Sequence, residues 1–253
     1  MFTGFNLTTQ HDFANFEEIG REVFRANRRT VKHKLDGFLL NDGSIDGGDL
    51  QEDWFPQFDV DVFISHSHKD ETTAIGLAGF LYHKFGITSF VDSCVWGYAG
   101  DLLREIDNEF CKTEDEYYSY RKRNYSTSHV HMMLSTALSM MIDKTECVLF
   151  LNSPRSISAS EVIDSTHSPW IYHELAMTRL IARKSLGHYR HPDIFKTMQK
   201  SLASDKALQI LYPAPLDHLH PIEDVDLLLW AVRNNESKLD YPLDHLYSLA
   251  GIL

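Results

Sequence analysis

Asp59-Val60-Asp61-Val62-Phe63-Ile64-Ser65, running into His66-Ser67-His68-Lys69-Asp70, decides the fold class. β-branched and aromatic residues form a short apolar run that stops at a polar turn, the pattern of a buried strand. Ala74, Leu77, Ala78, Leu81 and Phe85 then recur at helical spacing up to Gly86, and Ile87-Thr88-Ser89-Phe90-Val91 reads as a second strand. Strand, helix and strand in that order predict an α/β fold with a parallel sheet and a right-handed crossover.

Downstream, Asp92 to Gly100 reads as a loop carrying Trp96, and Asp101 can cap a helix through Phe110. Lys112 to Ser128 is polar, charged and tyrosine-rich, which predicts a surface insertion. Val130 to Ile142 is amphipathic, and its methionines read as core filler. Cys147-Val148-Leu149-Phe150-Leu151 reads as a short buried strand before Asn152-Ser153-Pro154, Ala207 to Tyr212 as a last strand, and Val225 to Val232 and Leu243 to Leu253 as helices.

Upstream, residues 14 to 40 read as one or two helices whose basic run, Arg25, Arg28, Arg29, Lys32 and Lys34, is a solvated face. Asp42, Ser44, Asp46 and Gly47 imitate the start of a calcium loop, but Ser44 is a weak ligand and Asp53 stands where a bidentate Glu is needed. A plain loop is the expected reading. The domain expectation is an N-terminal helical extension and loop over 1–58, then one domain over 59–253 with an insertion near 112–128 and a C-terminal helical region.

Ser168-Pro169-Trp170-Ile171-Tyr172-His173-Glu174-Leu175 carries the chemistry. Ser168 suits a helix cap and Pro169 the first turn, so a helix starts here and runs to about Lys184. Trp170, Ile171, Leu175, Thr178, Ile181 and Ala182 share one face, and Glu174 falls inside it. A carboxylate on a core-facing surface is costly unless it is paired or faces a cleft. Two readings stand side by side: a Glu held by a buried Arg or by backbone donors, and a catalytic carboxylate beside an aromatic platform.

Composition narrows the function classes. Among 253 residues the net charge is -12, which argues against general binding to nucleic acid or anionic membrane. Three separated cysteines without a C-x-x-C pair suggest a reducing compartment with neither disulfides nor structural zinc. Met1 to Gln10 lacks the charged start and apolar run of a secretory signal, and no long apolar stretch follows, so a cytoplasmic protein without a membrane span is expected. Neither a phosphate-binding G-x-x-x-x-G-K-[ST] loop nor a G-x-G-x-x-G fingerprint occurs, and no H-E-x-x-H pair points to a metal.

Taken together, four segments resemble Toll/interleukin-1 receptor (TIR) domains. Asp61 to His66 with Lys69-Asp70 resembles their first box, and Phe90-Val91-Asp92-Ser93 with a glycine-bearing loop resembles their second strand and the loop after it. Leu149-Phe150-Leu151-Asn152-Ser153 is similar to their fourth strand. Ser168-x-Trp170-x-x-x-Glu174-Leu175 is similar to the helix motif whose glutamate is catalytic in TIR proteins that cleave NAD+. The resemblance covers about Asp59 to Lys184; Ile171 stands where many members have Cys, and Lys112 to Ser128 is enlarged.

The resemblance implies a flavodoxin-like sheet with helices on both faces and a bacterial, stand-alone enzyme of antiviral signalling. NAD+ would be substrate rather than resident cofactor, yielding nicotinamide and an ADP-ribose product read by a separate effector. Glu174 would be catalytic, with Ser65, His66, Asp92, Trp96 and Trp170 around the substrate. Trp170 either stacks on a base or packs in the core; Ser65 and His66 either contact ribose or phosphate or satisfy their turn; Trp96 and Tyr98 either gate the pocket or meet a partner. The rival expectation is a non-catalytic scaffold that recruits partners by TIR–TIR assembly; self-association is expected of both.

Overall fold

A computed structural model describes residues 1–27, 35–38, 45–96, 99–113, 115–159, 164–166, 168–190, 212–213, 216–237 and 239–253. Strands β1 (Thr3–Thr8), β2 (Val62–Ser65), β3 (Ser89–Phe90) and β4 (Cys147–Asn152) join β8 (His220–Glu223) in one sheet ordered β3-β2-β4-β1-β8. Every pairing in it is parallel. Strands β5 (Ser158–Ala159), β6 (Asp164–Thr166) and β7 (Tyr212–Pro213) form a small antiparallel sheet. The helices are α1 (Glu17–Asn27), α2 (Gly47–Trp54), α3 (Glu71–Phe85), α4 (Asp92–Val95), α5 (Ala99–Ile106), α6 (Tyr120–Lys144), α7 (Pro169–Leu180), α8 (Leu186–Tyr189), α9 (Asp224–Glu236) and α10 (Leu243–Leu249).

The expected β2-α3-β3 unit is present. β2 is buried along its whole length, as a strand covered on both faces must be, and Gly86 ends α3 in a left-handed turn at φ 70°. Flavodoxin-like sheets run 2-1-3-4-5. Counted from β2, the order β3-β2-β4 follows the same start, which makes the α/β sheet compatible with that fold.

The fourth position corrects the expected division at 58/59. It is filled by β1, from the first residues of the chain, in register from Thr3 opposite Cys147 to Thr8 opposite Asn152. Helix α1 is equally integral. A Cβ added at Gly20 would stand 2.1 Å from the Ile75 carbonyl oxygen of α3, and one at Gly79 2.1 Å from that of Phe16. The described residues among the first 58 thus join the sheet and its covering layer, and are not an appendage. Gly4 and Asn6, poor strand formers, break the apolar run by which an interior parallel strand is recognised.

Three further boundaries move. Helix α6 starts at Tyr120, so the expected insertion shrinks to a loop closed by a bridge between Lys112 and Tyr118. Its first turns are anchored through the buried Asp107, which accepts from Ser126 Oγ at 2.5 Å and Arg123 Nε at 2.8 Å. Tyr120 and Tyr125 on those turns are exposed, so no apolar stripe marks this first part of the helix. The helix expected from Asp101 ends at Ile106 and continues as a π turn over Asp107–Cys111.

Of the expected last strand, 207–211 lies outside the described residues, and Tyr212 pairs in the small sheet instead. The last strand of the main sheet is β8, hidden in the sequence by Pro221. In the candidate calcium loop, 41–44 lies outside the described residues, while Asp46 caps α2 by accepting from the Gly48 and Asp49 amides at 2.9 and 3.0 Å. Among the described residues no helix is long and apolar enough to cross a membrane.

Candidate functional site

Strand order reverses between β2 and β4, and in open α/β sheets the crevice beyond the carboxyl ends of such strands is the usual ligand site. Strand β2 ends there at Ser65, opposite Phe150 of β4. Helix α7 is seated over this end by Ile171 and Leu175, which pack with Phe150, Ile157 and Leu219. Its start is capped as expected: Ser168 Oγ accepts from the Ile171 amide at 3.3 Å, with Pro169 in the first turn. A second tie comes from His173, whose Nε2 lies 3.1 Å from Ser139 Oγ and 3.1 Å from the Ser135 carbonyl, both on α6. Burial lowers the His173 pKa below its ordinary value.

That seating turns Glu174 inward, 5% exposed, where its Oε2 accepts a hydrogen bond from Ser65 Oγ at 2.5 Å. Among the described residues no arginine pairs with it. Burial pushes its pKa well above the usual carboxylate range, the negative charge of Asp92 pushes the same way, and the Ser65 hydroxyl opposes both. The resting side chain is thus biased toward the neutral acid.

Helix α4 begins at Asp92, immediately after β3, and supplies the next layer. His66 is buried; its Nε2 lies 3.4 Å from Ser93 Oγ, and its Nδ1 lies 3.8 Å from Asp92 Oδ1 without a hydrogen-bond partner. The Asp92 side chain keeps 28% exposure, and it opens onto a cavity of about 210 Å³. His68, Asp92, Ser93, Trp96, His131 and Trp170 carry most of its chemistry. Trp170 forms a wall with the His131 ring edge-on at 5.5 Å.

The six expected residues therefore fall into two connected groups. Ser65 and Glu174 form a closed pair, while Asp92, Trp96 and Trp170 line the cavity and His66 sits behind Asp92 and Ser93. Glu174 itself is not on the cavity wall. Trp96 is a fixed wall rather than a free gate: its Nε1 donates to the Pro56 carbonyl at 2.9 Å, and its ring is edge-on to Phe55 and Phe90. Tyr98, expected to share that role, lies outside the described residues.

Sequence reading missed His131, Leu134 and Leu138 of α6 as cavity wall. Their spacing was visible, but it marks a core-facing stripe equally well. Asp70 and the Ser153 after β4 serve structure: Ser153 Oγ donates to Asp70 at 2.5 Å, and Arg155 pairs with the same carboxylate at 3.0 Å.

A larger cavity, about 600 Å³, lies at the opposite, amino-terminal end of the sheet among Asp61, Lys84, Glu146, Asn234 and Tyr241. Its Glu146 is already held by Arg190 and Tyr247. Size alone favours it, but it holds none of the groups at the strand reversal. Among the described residues no group of three or more His, Cys, Asp or Glu side chains is placed to hold a metal ion.

No family model matches the chain, and no curated protein or solved structure matches it.

Proposed function

We propose that the protein is a TIR-type NAD+ glycohydrolase or cyclase, acting at the carboxyl end of β2. The observation that carries this reading is Glu174: a carboxylate buried at the strand reversal, held by a hydroxyl instead of an arginine, beside a cavity that Asp92 opens onto. A glutamate ionised there for structure alone would need a cationic partner, and among the described residues it has none.

In this reading the bond between ribose C1′ and nicotinamide N1 breaks, and its electron pair leaves with nicotinamide as a neutral base. Positive charge develops on the ribose, and an ionised Glu174 stabilises it and orients the ribose hydroxyls. Water then attacks C1′ and loses a proton, giving ADP-ribose; attack by the substrate's own adenine would give the cyclic product. The pyridinium of NAD+ is cationic, so binding beside Asp92 and Glu174 favours the ionised form of Glu174 and releases its proton.

The closed pair also gives the resting protein a latent character. The cavity is smaller than the roughly 300–1,000 Å³ of drug-sized sites, and a dinucleotide reaches Glu174 only when its wall moves. The same closure favours the rival reading, a non-catalytic scaffold in which Glu174 is only core. Nicotinamide release from NAD+ by the full chain tests the choice. Release in proportion to protein supports the enzyme, and none under any condition in which the protein binds NAD+ supports the scaffold. An antiviral signalling role, a cytoplasmic setting and a separate effector for the product belong to the same proposal.

A further inference from the structure

His66 follows Ser65 directly, and the alternation of an extended chain sends the two side chains opposite ways. Ser65 meets Glu174 on α7, while His66 meets α4 and keeps only 2% side-chain exposure. Both ring nitrogens face polar groups: Nε2 lies 3.4 Å from Ser93 Oγ and Nδ1 3.8 Å from Asp92 Oδ1. Nδ1 is buried and, among the described residues, has no hydrogen-bond partner. A buried polar atom is costly in that state, so the group it faces matters.

A neutral imidazole carries its proton on one nitrogen, and the neighbours choose which. With the proton on Nε2, the bare Nδ1 would set a lone pair against the Asp92 carboxylate. With the proton on Nδ1, the ring donates toward Asp92 and Nε2 accepts from the Ser93 hydroxyl, so no acceptor faces another. The second arrangement is favoured. Among the described residues no hydrogen bond and no other ion pair holds the Asp92 side chain, which opens onto the cavity. Closing the gap by less than an ångström brings Nδ1 to the ordinary hydrogen-bond distance of roughly 2.7–3.2 Å.

We infer that His66 is a positioning residue, an Nδ1–H donor that holds the Asp92 carboxylate toward the cavity, where it receives the cationic ring of the ligand. The identity of that ring, the pyridinium of NAD+, rests on the function proposed above; the donor rests on geometry alone. Asp92 opens a helix of four residues, and an untied carboxylate there would turn to solvent. A charge-assisted hydrogen bond from a ring already fixed by burial holds it at small entropic cost. His66 touches no substrate in this role; it acts through Asp92.

Two measurements without turnover test it. Nitrogen NMR of the wild-type imidazoles at mildly alkaline pH, with His66 assigned through the backbone, should report the Nδ1–H tautomer. Calorimetry then follows nicotinamide methylated on its ring nitrogen, a one-ring pyridinium on the scale of the cavity of about 210 Å³. H66Q keeps a polar group near the place of Nε2 but none at Nδ1, and should bind this probe about tenfold more weakly. H66N puts an amide N–H at the place of Nδ1 and should stay within about threefold of wild type. Packing alone predicts the reverse order, because Asn leaves the larger void. In a D92A background H66Q should change nothing further, since the two residues act as a unit. An Nε2–H tautomer, a probe that wild type binds no better than D92A, H66N binding no better than H66Q, or an H66Q effect that adds in full to D92A would overturn the inference. Nicotinamide release from NAD+ by wild type separates the two claims: its absence, with tautomer and probe as expected, would remove the enzymatic reading and leave the role of His66 in place.

Discussion

Ser65 Oγ donates to Glu174 Oε2 at 2.5 Å, although the two residues are 109 positions apart. One ends the strand at the sheet's reversal point; the other is carried in by a helix capped by Ser168 and seated on Phe150. The same hydroxyl is the single group that draws the Glu174 pKa down against burial and the Asp92 charge. That balance makes the acid–base behaviour of the site testable one group at a time.

The first test is the pH dependence of kcat/KM, whose acid limb reports Glu174 in the free protein. In the proposed reaction the ionised form is the competent one, so activity should rise with pH through the elevated Glu174 pKa. D92N removes the charge that raises this pKa and should move the acid limb to lower pH. S65A removes the opposing hydroxyl and should move it to higher pH. Rate–pH profiles of the three proteins check both directions.

Stability carries the same signature with its own sign. A folded-state pKa raised above its ordinary 4.5 gives stability that is full below that value and is lost as pH rises through the folded pKa. E174Q cannot ionise and keeps the acceptor facing Ser65. Wild type minus E174Q, measured as an unfolding-temperature difference, should fall steadily as pH is raised from 4.5. A difference independent of pH would mean that Glu174 is already ionised and solvated in the folded protein.

The seam between α1 and α3 should tolerate no added methyl group. In G79A the new Cβ would stand 2.1 Å from the Phe16 carbonyl oxygen and 2.7 Å from the Gly20 amide nitrogen. Both neighbours are backbone and have little room to give. A loss of about 1–3 kcal/mol or more is expected in chemical denaturation.

Arg190 is the keystone of the opposite end of the sheet. It pairs with Glu146 at 3.2 Å and Asp244 at 2.5 Å, and Tyr247 donates to Glu146 at 2.9 Å. R190M would leave two carboxylates facing each other and should cost about 3 kcal/mol in denaturation, the lower end for a broken buried pair because Asp244 keeps some solvent. The cavity at Asp92 is remote, so ligand binding there should survive in the folded fraction.

How much of this was legible in the sequence follows from how each element is buried. The run Val62-Phe63-Ile64 is apolar without a break and the buried stripe of α3 recurs at helical spacing, so the α/β unit could be read directly. Capping by Ser168 and the inward position of Glu174 followed from local chemistry and helical spacing. Strand β1 was not legible, because Gly4 and Asn6 interrupt its pattern and its place depends on pairing with residues more than a hundred positions away. Asp92 beside His66, and His131 beside Trp170, are likewise tertiary encounters that no local spacing announces.

The most direct measurement is nicotinamide release from NAD+ by wild type and E174Q, at a pH where the wild-type rate is maximal. Losing a transition-state contact worth ~3–4 kcal/mol should slow E174Q by roughly a hundred- to a thousand-fold, with the fold intact. Equal release by the two proteins would contradict the assignment of Glu174.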